Sequence, residues 1–202
     1  MLDAETQTGV TQPAGALQGQ RILVLGACCG FGRGMVRALN AASAKVIAAD
    51  SNTDALKLMS GVVPLALRGE ADMALRRVGR QWGSARLDAV LNLMPLRRPE
   101  LIDLNIAVLQ GAVQGFMPSL IPQGGQILTV VARPDQPLEL GAGAMAPALL
   151  SAQNALAQTL KRDGLLLNMI SVGEGGVKPA RSAAIGLLGK SLGPLTGAEL
   201  RV

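Results

Sequence analysis

Three glycines and one acid are the residues whose types and spacing point to chemistry. Gly26, Gly30 and Gly32 follow the apolar run Ile22 to Leu25 and precede Met35, Val36 and Leu39, which recur at the helix period. A strand that runs through glycines into a helix presents bare backbone N–H groups to a phosphate. The helix N-terminus adds partial positive charge, and the missing Cβ atoms let a pyrophosphate come close. Asp50 closes the second apolar run, Lys45 to Ala49, where an acidic side chain accepts hydrogen bonds from an adenosine ribose. A tight turn with no ligand explains a glycine triplet by itself. Strand, glycines, helix, strand and acid in this order predict a dinucleotide site or its remnant. Cys28 and Cys29, the only two cysteines, sit inside the same loop. Neighbouring cysteines rarely bridge, so they read as small packing residues rather than a disulfide.

The elements that must position these residues form one repeating pattern. Further apolar runs are Val62 to Leu67, Leu87 to Leu93, Gln126 to Ala132, Leu165 to Val172 and the short Glu199 to Val202. Helical stretches separate them: Ser51 to Ser60 with Ser51 or Asn52 as cap, Asp72 to Trp82, Pro99 to Phe116, Pro147 to Arg162, and Ser182 to Leu188. Pro64 suggests that the third strand lies at an edge. Continuous apolar strands alternating with helices predict an α/β fold: a doubly wound parallel sheet of about seven strands, covered on both faces. The ligand crevice then lies at the carboxyl ends of the strands. Residues 1 to 18 lack periodicity and are expected to be a flexible arm, leaving 19–202 as a single domain.

Composition narrows the function classes. The chain has 202 residues, 49% of them hydrophobic, which suits a domain with a real core. Phe31, Trp82 and Phe116 are its only aromatic residues, too few for a base-stacking nucleic-acid module. The absence of histidine argues against zinc. The net charge of +5 is carried largely by arginines 76, 77, 80, 86, 97 and 98, read either as a solvated face or as a surface for an anionic partner. The polar, acidic beginning predicts no signal peptide, and Asp103, Asn105, Gln110 and Gln114 interrupt the stretch Leu101 to Pro122, so no transmembrane segment is expected. A cytoplasmic location follows as the default.

From about Gly19 to the last residue the sequence resembles the short-chain dehydrogenase/reductase family, whose members have a Rossmann fold. The family's T-G-x-x-x-G-x-G is met by Leu25-Gly26-Ala27-Cys28-Cys29-Gly30-Phe31-Gly32, with leucine for threonine. Its N-N-A-G stands here as Asn92-Leu93-Met94-Pro95, and Asn105 matches the helix asparagine that holds a relay water. The resemblance implies an NAD or NADP cofactor held by Gly26, Cys28, Gly30, Phe31, Gly32, Asp50 and Asn92. Asp50 leans towards NAD, while Arg33 just after the glycines suits a 2′-phosphate. It also implies what is missing. The family's Tyr-x-x-x-Lys pair falls on Leu149 and Gln153, its serine falls on Val131 or Ala132, and the chain contains no tyrosine. The loop after the sixth strand is cut down to residues 173–179, too short for the usual lid. Glu174, Lys178, Arg133 and Asp135 are the loop charges left near the crevice; each also reads as a solvated loop charge.

Three functions follow as expectations. The first is a non-catalytic, pseudoenzyme member that binds a dinucleotide and acts as a binding or scaffold subunit. Its long fourth and fifth helices, rich in small residues, suit a homo-oligomer or a larger protein complex, although core packing explains the same pattern. The second is an NAD(P)-dependent oxidoreductase with a divergent acid. The third is a basic docking module for an anionic partner, with nucleic acid disfavoured for want of aromatics.

Overall fold

A computed structural model of the chain describes residues 15–134 and 140–202. Its elements alternate strictly: β1 (Arg21–Leu25), α1 (Gly30–Ala41), β2 (Lys45–Asp50), α2 (Thr53–Lys57), β3 (Val62–Ala66), α3 (Ala71–Trp82), β4 (Ala89–Asn92), α4 (Ile102–Leu120), β5 (Gln126–Ala132), α5 (Leu140–Leu160), β6 (Leu166–Val172), α6 (Val177–Leu188) and β7 (Glu199–Arg201). The seven strands form one sheet in the order β3-β2-β1-β4-β5-β6-β7, and every pairing is parallel. The order reverses between β1 and β4, so the crevice opens above the ends of those two strands. β3 is the edge, as Pro64 requires.

Side-chain alternation divides the core into two layers. Ile22, Val24, Ala89, Leu91, Leu128 and Val130 pack with α1 and α6, whereas Leu23, Leu25, Val90, Ile127 and Val131 pack with α3, α4 and α5. Burial on both faces is why the strands read as unbroken apolar runs. By the same period of two, Asn92 and Thr129 face the α4/α5 layer, and they lie opposite each other in the β4–β5 register.

The helices α3 and α4 approach backbone to backbone. A Cβ on Gly79 would collide with the Gly115 carbonyl, and one on Gly111 would stand 3.0 Å from the Asp72 carbonyl oxygen. Small residues at these crossings set the interaxial distance. α4 with the turn that follows it (residues 102–123) contains an 18-residue window of mean hydropathy 1.3, apolar and long enough by composition to cross a membrane, and 56% of that window is buried in the molecule as in a core helix.

Several boundaries differ from the sequence expectation for identifiable reasons. α4 runs through Pro118 to Leu120, because Ser119 and Leu120 are buried and the Ser119 hydroxyl donates to the Gly83 carbonyl at 2.8 Å. α5 begins seven residues before Pro147, since Met145 and Ala146 already face the core. α6 begins five residues before Ser182, with Ala180 buried. Folded structure also starts earlier than residue 19: Leu17 is fully buried, and its N–H donates to the Ala42 carbonyl. The rest of the expected arm, residues 1–14, lies outside the described residues, as does Asp135.

Candidate functional site

The glycine loop is built from three different requirements. Gly26 leaves β1 with φ +77°, and a Cβ there would press on the Leu93 carbonyl carbon at 3.3 Å and on Arg97 Cδ at 3.4 Å. Gly32 is demanded by packing, because its Cβ would stand 2.6 Å from the Ala27 carbonyl oxygen. Gly30, the first residue of α1, has neither reason: its φ is not positive, and among the described residues an added Cβ would meet nothing within 4 Å. Open space at the N-terminus of a twelve-residue helix is what a phosphate needs. Phe31 beside it is half-buried against the α1/α6 layer. Cys29 does more than fill the loop: it is the N-cap of α1, and its Sγ accepts the Gly32 N–H at 3.2 Å.

Asp50 ends β2 with its side chain fully buried. One carboxylate oxygen accepts the Arg97 guanidinium at 2.6 Å and the Asn52 N–H at 3.0 Å; the other accepts the Cys28 N–H at 2.9 Å. Burial pushes the carboxyl pKa up, but the Asn52 and Cys28 N–H groups and the Arg97 charge outweigh it and hold it below the usual carboxylate value. The Cys28 thiol is pushed up to about 11, first by its own burial and then by Asp50. It is therefore a thiol, not a thiolate, at neutral pH.

Arg97 is the residue that sequence reasoning passed over, taking it for one of six surface arginines. It lies in the loop after β4, just beyond a one-turn 3₁₀ helix (Met94–Leu96), and crosses the switch point to reach the end of β2. Its only sequence signal was its place shortly after the strand next to β1. Beside the pair opens a cavity of about 700 Å³, with Ser51, Leu67, Met94, Arg97 and Arg98 among its walls.

The other end of the crevice has a different character. Asn92 Oδ1 accepts the Met94 N–H at 3.2 Å, which ties down the strand end, while its Nδ2 is buried without a partner among the described residues. Asn105 donates through Nδ2 to the Arg98 and Leu101 carbonyls, both at 2.8 Å, and so fastens the start of α4. Its Oδ1, the Thr129 hydroxyl and both amide atoms of Gln153 are buried and have no hydrogen-bond partner among the described residues. Leu149, one turn before Gln153, is 1% exposed and belongs to the α3/α4/α5 core. An apolar core side chain in this position has no proton to give.

Arg133 pairs with Glu199 at 2.5 Å, and Ser171 and Arg201 also donate to that carboxylate. Burial raises the Glu199 pKa, but the Ser171, Arg201 and Arg133 donors bring it below the ordinary value. Glu174 and Lys178 are exposed. The shortened loop is held down by the Val202 carbonyl, which accepts the Gly173 N–H at 2.7 Å and leaves no room for a Cβ on Gly176. Of the arginines read as a basic face, Arg86, Arg97 and Arg98 are spent on Asp88, Asp50 and Glu100.

No protein-family model matches the sequence, and a comparison with curated proteins gives no match. Solved structures do match in fold. The Pseudomonas aeruginosa RhlG/NADP active-site complex superposes with a TM-score of 0.80 at 18% identity, covering 95% of this chain and 97% of that one. A protein from Burkholderia xenovorans described as a short-chain dehydrogenase/reductase gives a TM-score of 0.76 at 20% identity, covering 94% and 96%. BdcA in complex with NADPH gives 0.73 at 19%, covering 93% and 94%. The chain therefore has the short-chain dehydrogenase/reductase fold over nearly its whole described length.

Proposed function

We propose that this chain is a dinucleotide-binding protein of the short-chain dehydrogenase/reductase type that does not perform the family's tyrosine-dependent hydride chemistry, and that it serves as a binding or scaffold subunit. The observation that carries the reading is one contrast: an open approach at Gly30, where an added Cβ would meet no other described residue within 4 Å, beside a buried leucine at position 149. An open approach at a helix N-terminus fits a pyrophosphate. A core leucine and a neutral glutamine supply neither the acid nor the cation that lowers its pKa. The NADP and NADPH named with two of the structural neighbours support a nicotinamide dinucleotide as the ligand class.

In this reading Gly26, Gly30 and Gly32 receive the pyrophosphate, with Cys28 and Phe31 lining the loop and Asn92 shaping the far side. The adenosine end extends past Asp50 into the cavity bounded by Ser51 and Leu67. Assembly with copies of itself or with another protein is part of the same proposal, and light scattering at micromolar concentration checks it.

Calorimetric titration with NADH and NADPH tests the central claim. Micromolar binding that is lost in Gly30→Leu, together with no turnover of a panel of carbonyl substrates, is the expected result. Turnover of NADPH or NADH with any of them sinks the non-catalytic half. Absence of binding to both nucleotides sinks the other.

A further inference from the structure

We propose that Arg97 sets the selectivity of the nucleotide site, and that the nucleotide it favours carries a phosphate on the adenosine 2′ position. The inference rests on the dinucleotide reading above and deepens it. An acid at the end of β2 normally reads the two ribose hydroxyls, and for that it must offer free lone pairs to the crevice. Asp50 offers none to solvent: its side chain has no exposure, and its oxygens already accept from Arg97, Asn52 and Cys28.

The charged side chain that lines the cavity in its place is Arg97. Arg97 keeps 29% of its side chain exposed, forms part of the wall of the cavity beside Ser51, and rests its stem on Gly26. Only one of its five N–H groups is bonded to Asp50. The others form a planar fork matched to a phosphate, and the carboxylate fixes that fork in place. Asp50 thus becomes the anchor of the reader rather than the reader. Because the pair is neutral, an incoming phosphate does not meet an unbalanced carboxylate. Arg33, exposed in the first turn of α1 and close enough for its charge to act on the Cys28 thiol, supplies a second cation on the same edge. Glu70, Asp72 and Asp103, at the starts of α3 and α4, also line this cavity, so the paired Arg97 and its neighbour Arg98 must hold the phosphate among acids.

The test is calorimetric titration of the full chain with NADPH, NADH, 2′,5′-ADP and 5′-ADP. It is repeated on Arg97→Lys, which keeps the charge and loses the fork, and on the double variant Arg97→Ala/Asp50→Asn, which strands no buried charge. The wild type is expected to bind NADPH and 2′,5′-ADP about tenfold or more tightly than their counterparts without the 2′-phosphate. Both variants should lose most of that ratio. Equal binding of the pairs, or tighter NADH, overturns the proposal while leaving the dinucleotide reading intact. Binding seen only when Arg97 is replaced overturns it too, since Arg97 would then be a plug. If neither the wild type nor any variant binds a nucleotide, the dinucleotide reading falls and this proposal falls with it.

Discussion

At the β2 end of the crevice, Asp50 loses all contact with solvent and gains three donors. Across the switch point, Asn92, Thr129 and Gln153 are equally buried, and among the described residues the one hydrogen bond they make through their side chains is the Met94 N–H to Asn92. The difference follows from charge. An ionised carboxylate cannot enter the interior without partners, so its burial drew in an arginine and two backbone N–H groups. Neutral amides and hydroxyls cost about 1–3 kcal/mol each when unpaired, which a domain of this size tolerates. The glutamine at position 153 is instructive here. Where the family resemblance places a lysine, a neutral amide avoids burying a cation without a counter-charge. The end that carries a charge is paired; the end that carries none is left without partners among the described residues.

Removing Arg97 attacks this contrast most directly. Arg97→Ala leaves the Asp50 carboxylate buried with only its two N–H donors. The expected loss is about 2–4 kcal/mol in urea unfolding, below the full cost of breaking a buried pair because Arg97 is partly exposed. The pH dependence has a definite sign. Asp50 is held below its unfolded value, so its contribution is complete above the ordinary carboxylate pKa and disappears as pH falls through the lowered one. Without Arg97 the folded value rises towards the ordinary one, so this contribution is smaller and is exhausted at a higher pH. A variant as stable as the wild type, with an unchanged acid transition, would show that the pair organises nothing.

Two glycines separate architecture from ligand at the same end. Gly32→Ala forces a Cβ to 2.6 Å from a carbonyl oxygen and is expected to cost about 1–3 kcal/mol whatever the ligand. The methyl of Gly30→Ala would meet no other described residue within 4 Å and should leave the midpoint nearly unchanged, while weakening any nucleotide that approaches the helix N-terminus. Equal destabilisation by the two would mean that Gly30 answers a packing need like its neighbour.

At the other end the expected effect is smaller and opposite. Gln153→Met replaces two unpaired amide atoms by an apolar chain of similar volume, so a gain of about 1 kcal/mol is expected in the same measurement. A loss instead would mean that the amide is satisfied in solution, and the contrast between the two ends would then be one of partner rather than of pairing.

The layers of the fold were legible because periodicity and glycine placement are local signals. The alternation of strands and helices, the edge position of Pro64 and the covering of the sheet on both faces follow from them. The limits of α4 and α5 were not, since Pro118 and Pro147 are carried inside helices by the burial of Ser119, Leu120, Met145 and Ala146 around them. At the site, the glycines and Asp50 stood out by spacing. What Asp50 binds did not, because Arg97 is 47 residues away in sequence and meets it only once β1 lies between β2 and β4. Long-range ion pairs have no spacing signature. One arginine among six could not be singled out before the strand order was known.

The smallest effect offers the most local reading of the Asp50 charge. Cys28 lies against that carboxylate, and its thiol stands at about 11 because burial and then Asp50 disfavour the thiolate. Alkylation of Cys28 at pH 8, followed by peptide mass spectrometry in a Cys29→Ser background, should therefore be slow. Asp50→Asn removes the negative charge but leaves the burial, so the thiol pKa should fall only part of the way and labelling should quicken by a modest factor. Arg97→Ala removes a charge that lowers the thiol pKa, so labelling there should slow further. The two variants thus move the rate in opposite directions although each breaks the same ion pair. Loosening of the loop would quicken both, so an increase in each variant would mean that the pair acts on Cys28 through structure and not through charge.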